Sequence, residues 1–206
     1  MSSATRDRTI ALIRTGTANL ASVLAAFRRL GHAPLVTTDP QRVAEAAIAI
    51  LPGVGAFGAS MGEVQAAGLG EVLRERAAAD RPLMGVCVGL QLLCGSSEEG
   101  PGVPGLGVIP GHVARFPEQP GLRVPNMGWC AVTPTAGARW LQPGHAYFAH
   151  SYRLTSVPEG WEGAVAEHGG PFVAALERGR TLALQLHPEL SGAWGEDLLR
   201  RWLEEV

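Results

Sequence analysis

The chain has 206 residues, 46% of them hydrophobic and 17% charged, with a formal net charge of −2. That length suits one domain with a substantial core. The balance excludes a disordered chain and gives no reason to expect nucleic-acid affinity. No apolar run approaches the ~20 residues that a bilayer span demands. Met1 to Arg8 lacks a signal peptide's apolar stretch, so a cytoplasmic chain with no membrane association is expected. Three cysteines without paired spacing do not suggest a disulfide framework. The histidines form neither a His-x-x-x-His pair nor a Cys/His cluster, so no metal or cofactor is expected.

In chain order, residues 1–8 are expected to be a flexible segment and residues 9–206 a single domain. Thr9 to Arg14 reads as a strand. Asn19 to Leu30 has apolar residues at helical spacing (Leu20, Val23, Leu24, Phe27, Leu30) and stops at Gly31. Leu35 to Thr37 is a short strand and Pro40 to Ala46 a helix. Ala47 to Leu51 is a buried strand that runs into Pro52-Gly53-Val54-Gly55. Glu63 to Ala79 reads as one helix, with Val64, Leu69, Val72 and Leu73 inward and Arg/Glu opposite. Pro82 to Val86 is a strand, and an apolar helix follows it.

Such βαβ alternation builds a parallel sheet whose reactive groups gather at the strands' C-terminal ends. Glu98 to Gly107 is a surface loop by composition. From Gly105 onward the texture is β-rich, with strands expected at Val108–Phe116, Trp129–Thr133, Ala146–Leu154, Gly163–Glu167, Phe172–Arg178 and Leu182–Leu186. Gly169-Gly170 and Arg178-Gly179 mark hairpin turns, and Ala193 to Glu205 is the closing helix. There is no internal repeat and no long linker.

Three strand exits carry chemistry. Gly85-Val86-Cys87-Val88-Gly89 is a G-x-C-x-G between strand and helix, the layout of a nucleophile elbow. Its glycines are needed where a Cβ would clash with neighbouring backbone. The turn also brings the Cys87 sulfur near the first unpaired amides of a helix, which stabilise a thiolate. The competing reading of Cys87 is a buried core cysteine. At the second exit, His187 and Glu189 flank Pro188, which keeps His187 out of the α region and the pair extended. Residues two apart in extended chain share a side, so Glu189 can orient the imidazole that faces the thiol. The third is Pro52-Gly53-Val54-Gly55. A thioester route creates an oxyanion that needs preorganised N–H donors. Val88 supplies one, and Val54, freed by its flanking glycines, is the candidate second. Cys94 and Cys130 are most simply packing residues.

With Cys87 in Gly-Val-Cys-Val-Gly-Leu-Gln, Pro52-Gly-Val-Gly55 and His187-Pro-Glu189, the chain resembles the class I, triad-type glutamine amidotransferases from about Thr9 to its end. Within that family, Val124-Pro-Asn-Met-Gly-Trp129, Tyr147-Phe-Ala-His-Ser-Tyr-Arg153 and Gly16–Leu24 are similar to the glutaminase subunits of imidazole glycerol phosphate synthases, of histidine biosynthesis. Two positions depart from the pattern. Asn126 stands where His is usual, and Arg14-Thr15 where Asp-Tyr is common.

The resemblance implies an α/β fold, with a mixed, largely parallel central sheet flanked by helices. This is flavodoxin-like with an added β-rich C-terminal half. It implies that L-glutamine is the substrate, with Cys87, His187 and Glu189 catalytic and Val54 and Val88 as oxyanion donors. Gly53, Gly55, Gln91, Ser151 and Tyr152 are implied to bind glutamine, although Gln91 by position alone is equally a solvated helix residue. The implied partner is a (β/α)8-barrel cyclase in a heterodimer. Asn126, Met127, Gly128, Trp129 and His150 lie on or near its interface, His150 as a packing residue and Trp129 as an anchor or else a core side chain.

Three rivals stand beside this reading. The first is a glutaminase of pyridoxal-phosphate or anthranilate synthesis. The second is a cysteine hydrolase of the dienelactone type, although its acid would precede its histidine in the chain. The third is a silent binding module that holds a partner.

Overall fold

The computed structural model describes residues 8–15 and 20–206. Most of the expected flexible segment, and Gly16 to Asn19 before the first helix, lie outside the described residues. Arg8 is held in place: its guanidinium donates to the carbonyls of Leu203 (3.2 Å) and Val206.

The first half alternates strand and helix as expected. It runs β1 (Ile10–Ile13), α1 (Leu20–Arg29), β2 (Leu35–Thr37), α2 (Pro40–Glu45), β3 (Ile48–Gly53), α3 (Phe57–Ala66), α4 (Leu69–Ala78), β4 (Leu83–Cys87) and α5 (Val88–Leu93). Strands β1, β3 and β4 are short apolar runs buried on both faces, which suits parallel strands covered by helices. The second half runs β5 (Cys94–Ser97), β6 (Ile109–Arg115), β7 (Asn126–Pro134), β8 (Gly144–His150), β9 (Tyr152–Arg153), β10 (Glu162–Glu167), β11 (Pro171–Arg178) and β12 (Thr181–Leu184). A 3-10 turn (Pro188–Leu190) and α6 (Gly192–Glu205) close it.

Among the described residues, nine strands form one sheet in the order β2-β1-β3-β4-β12-β11-β10-β7-β8. Pairing is parallel from β2 through β12 and antiparallel from β12 through β8. The strand before His187 thus returns to the middle of the sheet, beside the strand before Cys87. Strands β3, β4 and β12 are adjacent and parallel, so their C-terminal ends meet at one place. A second group of three strands has the order β5-β6-β9. No helix among the described residues is long and apolar enough to cross a membrane.

Four expectations are corrected. The single helix over Glu63–Ala79 is two, because Gly68 takes the left-handed conformation (φ 67°) between α3 and α4. Arg76 of α4 does not point outward with its charged neighbours. It is buried and donates to the carbonyls of Val43 (2.9 Å), Ala46 (2.8 Å) and Pro82 (2.8 Å), tying α2 to the starts of β3 and β4. Periodicity cannot reveal an arginine whose partners are all main-chain oxygens. The expected strand Ala146–Leu154 switches partners at Ser151: β8 pairs with β7, and β9 with β6. Finally, β12 ends at Leu184 rather than Leu186.

A candidate active site at three strand ends

Cys87 closes β4 and sits at the N-terminus of α5 with φ 53° and ψ −110°, a conformation costly for a side-chain-bearing residue. The packing holds it there. A Cβ on Gly89 would run into the Leu51 carbonyl oxygen, and one on Gly85 would come within 2.9 Å of Leu93 and 3.0 Å of the Gly89 backbone. Gly53 pairs with Cys87 across β3 and β4, and a Cβ on it would stand 2.7 Å from the Val88 side chain. These glycines let α5 lie directly against β3.

His187 is buried and follows β12 in an extended conformation (φ −102°, ψ 97°). Its backbone is fastened to β8: its N–H donates to the Tyr147 carbonyl at 2.9 Å, and its carbonyl accepts from Ser191 Oγ at 2.6 Å. The His-Pro-Glu segment is not extended throughout, because Pro188 to Leu190 turn as a 3-10 helix. That turn still brings Glu189 Oε1 to 2.9 Å from His187 Nδ1, in a pair where both side chains are about 6% exposed.

His187 and Cys87 line the same cavity, and the imidazole interacts with the sulfur. Burial disfavours the imidazolium, but hydrogen bonds to Cys87 and Glu189, and the negative charge on both, outweigh it and push His187 up to about 10. The surroundings of His187 thus favour its charged form. Such a group can protonate a departing amine, and its partner sulfur can act as a nucleophile.

A cavity of about 510 Å³ opens over these groups. Val54, Gly55, Cys87, Val88, Gln91, Ser151, Tyr152, His187 and Glu189 are among the residues that line it. Gly53 lies beneath the elbow and does not line it. Gln91 is buried, not solvated; its Nε2 donates to the Tyr152 carbonyl and to Gln185 Oε1, each at 3.1 Å. With both amide hydrogens so used, its carbonyl oxygen is the atom left to meet a ligand.

His150 and Asn126, expected at a partner surface, are 5% and 3% exposed. Both side chains are buried on the two strands, β7 and β8, whose neighbours Met127 and Trp129 are exposed. His150 instead lines the cavity. Burial, and the positive neighbours His168, His187 and Arg153, bring it down to about 4 despite its hydrogen bond to the Tyr152 carbonyl. Met127 and Trp129 on the same strand are 66% and 56% exposed, which sets aside a core role for Trp129. Trp129 meets Tyr147 edge-on at 6.1 Å, and Tyr147 lines the cavity, so this apolar face reaches the cavity mouth.

Sequence reasoning missed Glu99 and Gln185. Glu99, in the segment expected as a surface loop, lines the cavity while its Oε2 accepts from the Phe57 N–H at 2.8 Å. Nothing in its local pattern marks it. Gln185 stands two residues before His187, on the side that faces Cys87, a spacing that could have identified it. Among the described residues, no group of three His, Cys, Asp or Glu gathers as a metal site.

The family profile "Glutamine amidotransferase class-I" matches residues 12–206, and the chain belongs to that family. Two proteins named imidazole glycerol phosphate synthase subunit HisH are among its relatives. That of Moorella thermoacetica is 42% identical, with 97% of this chain and 96% of that protein covered. That of Methanothermobacter thermautotrophicus is 41% identical, with 96% and 98% covered. A chloroplastic imidazole glycerol phosphate synthase hisHF of Arabidopsis thaliana is 40% identical over 98% of this chain, which spans 35% of that protein. Solved structures agree in fold. A glutamine amidotransferase aligns with TM-score 0.76 at 22% identity over 95% of this chain and 97% of that one. PurLQS of Thermotoga maritima aligns with TM-score 0.71 at 16% identity, covering 96% and 98%.

Proposed function

We infer that this chain is the glutaminase subunit of an imidazole glycerol phosphate synthase in histidine biosynthesis. The set Cys87, His187 and Glu189, gathered in one cavity beside a strand that exposes Met127 and Trp129, carries the reading. The HisH relatives that this chain matches over nearly their whole length support it.

In this account the Cys87 thiolate attacks the side-chain amide carbon of L-glutamine. The oxyanion rests on the amides of Val54 and Val88. His187 gives its proton to the nitrogen as the C–N bond breaks, and ammonia leaves. The neutral imidazole then takes a proton from water, which attacks the thioester. The C–S bond breaks with its electron pair returning to sulfur, and glutamate departs. Glu189 keeps the imidazole in its productive tautomer and stabilises its charged form. At the other end of the substrate, the Glu99 carboxylate and the Gln91 carbonyl suit the α-ammonium, and the turn at Ser151–Tyr152 suits the α-carboxylate. Gly53 supports the elbow rather than the substrate.

Ammonia released to water is mostly protonated and lost as a nucleophile. A cyclase subunit docked on the Met127–Gly128–Trp129 strand would receive it directly. The Arabidopsis protein, whose name joins the two activities in one chain, supports that pairing. Three free cysteines suit the reducing cytoplasm. The test is glutamate release measured with and without the cyclase and its ribotide ligand. Release should be slow for the chain alone and rise in the complex. A rate indifferent to the cyclase would overturn the pairing.

A further inference from the structure

Gln185, the residue after the end of β12, is fully buried between Leu184 and Leu186 in the chain, both also buried. A buried amide costs stability unless its donors and acceptors are matched, so its partners are informative. Its Oε1 accepts from Gln91 Nε2 at 3.1 Å, and its Nε2 donates to Cys87 Sγ at 3.8 Å, a long hydrogen bond within reach of a large sulfur. Its own N–H is held by the Ala174 carbonyl at 2.9 Å. Cys87 also approaches the Ala149 carbonyl at 3.9 Å, which a thiol could donate to and a thiolate could not.

We propose that Gln185 is a further catalytic residue of the glutaminase reaction, a neutral second donor that holds the Cys87 sulfur as a thiolate. The inference rests on the function proposed above. His187 has one proton for two tasks, pairing with the thiolate and protonating the departing nitrogen. When the C–S bond breaks, the electron pair returns to sulfur beside an imidazole that water has just reprotonated. The Gln185 amide meets that charge without any proton transfer. Because the same side chain accepts from Gln91, it also fixes which atom of Gln91 faces the substrate, and so links nucleophile and substrate pocket through one buried amide.

The experiment compares the wild-type chain, Gln185→Met and Gln185→Glu, each bound to the cyclase. It measures alkylation of Cys87 by iodoacetamide at neutral pH, read from the mass of the Cys87 peptide, together with kcat, KM and thermal unfolding. A lost charge-assisted hydrogen bond predicts about a tenfold slower alkylation and a similar fall in kcat for Gln185→Met. The loss should be larger for Gln185→Glu, whose carboxylate repels the thiolate. Folded variants alkylated at the wild-type rate, with only KM raised, would overturn the proposal and leave Gln185 as a support for Gln91. Should neither variant fold, the wild-type protein decides. The Gln185 side-chain amide resonance must shift when Cys87 is alkylated, and its constancy overturns the proposal. Failure of the underlying function looks different: wild-type Cys87 would then gain no protection from glutamine.

Discussion

The two sides of the cavity are built on different principles. The parallel side, at the ends of β3, β4 and β12, supplies Val54, Cys87 and His187 from backbone held by glycine contacts and a central sheet. The antiparallel side, from β7, β8 and the turn at Ser151, contributes cavity wall on one face and exposed Met127 and Trp129 on the other. Two histidines mark the contrast. His187, between sulfur and carboxylate, is driven up to about 10, while His150, among rings and cationic neighbours, is driven down to about 4. The first side suits chemistry on a fixed geometry, and the second suits recognition.

The largest effect should come from the nucleophile. Cys87→Ala should abolish glutamine-dependent synthesis, with a loss on the order of 10⁵- to 10⁶-fold in glutamate release. The cyclase should still use added ammonium salt. Loss of both activities would mean that the substitution damaged the complex rather than the chemistry. Glu189→Gln keeps the size of the side chain but not its charge, and should lower kcat by about 10³- to 10⁴-fold. A fall below tenfold would show that the carboxylate does not orient the imidazole.

On the recognition side, Trp129→Ala should weaken cyclase binding by roughly 30-fold, as expected for a central aromatic anchor. Calorimetric titration of the two subunits measures it, and unchanged affinity would move the interface elsewhere.

The smallest effects are in pH dependence, and the two histidines have opposite signs. Between 6.5 and about 10 the folded chain keeps on His187 a proton that the unfolded chain has lost. Its stabilisation is whole below 6.5, declines as pH rises and is gone above about 10. His150 contributes stability that is present above 6.5 and is lost as pH falls through about 4, because the unfolded chain charges first. Melting temperatures of Glu189→Gln should therefore fall less steeply with alkaline pH than those of the wild type. Those of His150→Phe should fall less steeply with acid. Parallel curves would show that neither histidine is coupled to folding.

The chemical side was readable in the sequence because its determinants are local. A glycine on each side of Cys87, a proline after His187 and glycines around Val54 each constrain a few residues of chain. The rest depends on contacts between distant segments. Glu99 enters the cavity because a loop passes the start of α3, and the strand after Gly144 changes sheets at Ser151 because β6 lies alongside. Arg76 is inside because carbonyls at the end of α2 and just before β3 and β4 lie beside it. Asn126 and His150 are buried while Met127 and Trp129, beside Asn126 on β7, are exposed. For Glu99, Ser151 and Arg76 the residue's own neighbours in sequence carry no trace of what it touches.

The most direct measurement is acid quenching of the complex during turnover of isotopically labelled glutamine, with the labelled peptide located by mass. The account predicts a glutamyl thioester on Cys87 that disappears when glutamine is exhausted. Label on Cys94 or Cys130, or turnover with no acylated cysteine in a quench fast enough to catch one, would contradict it.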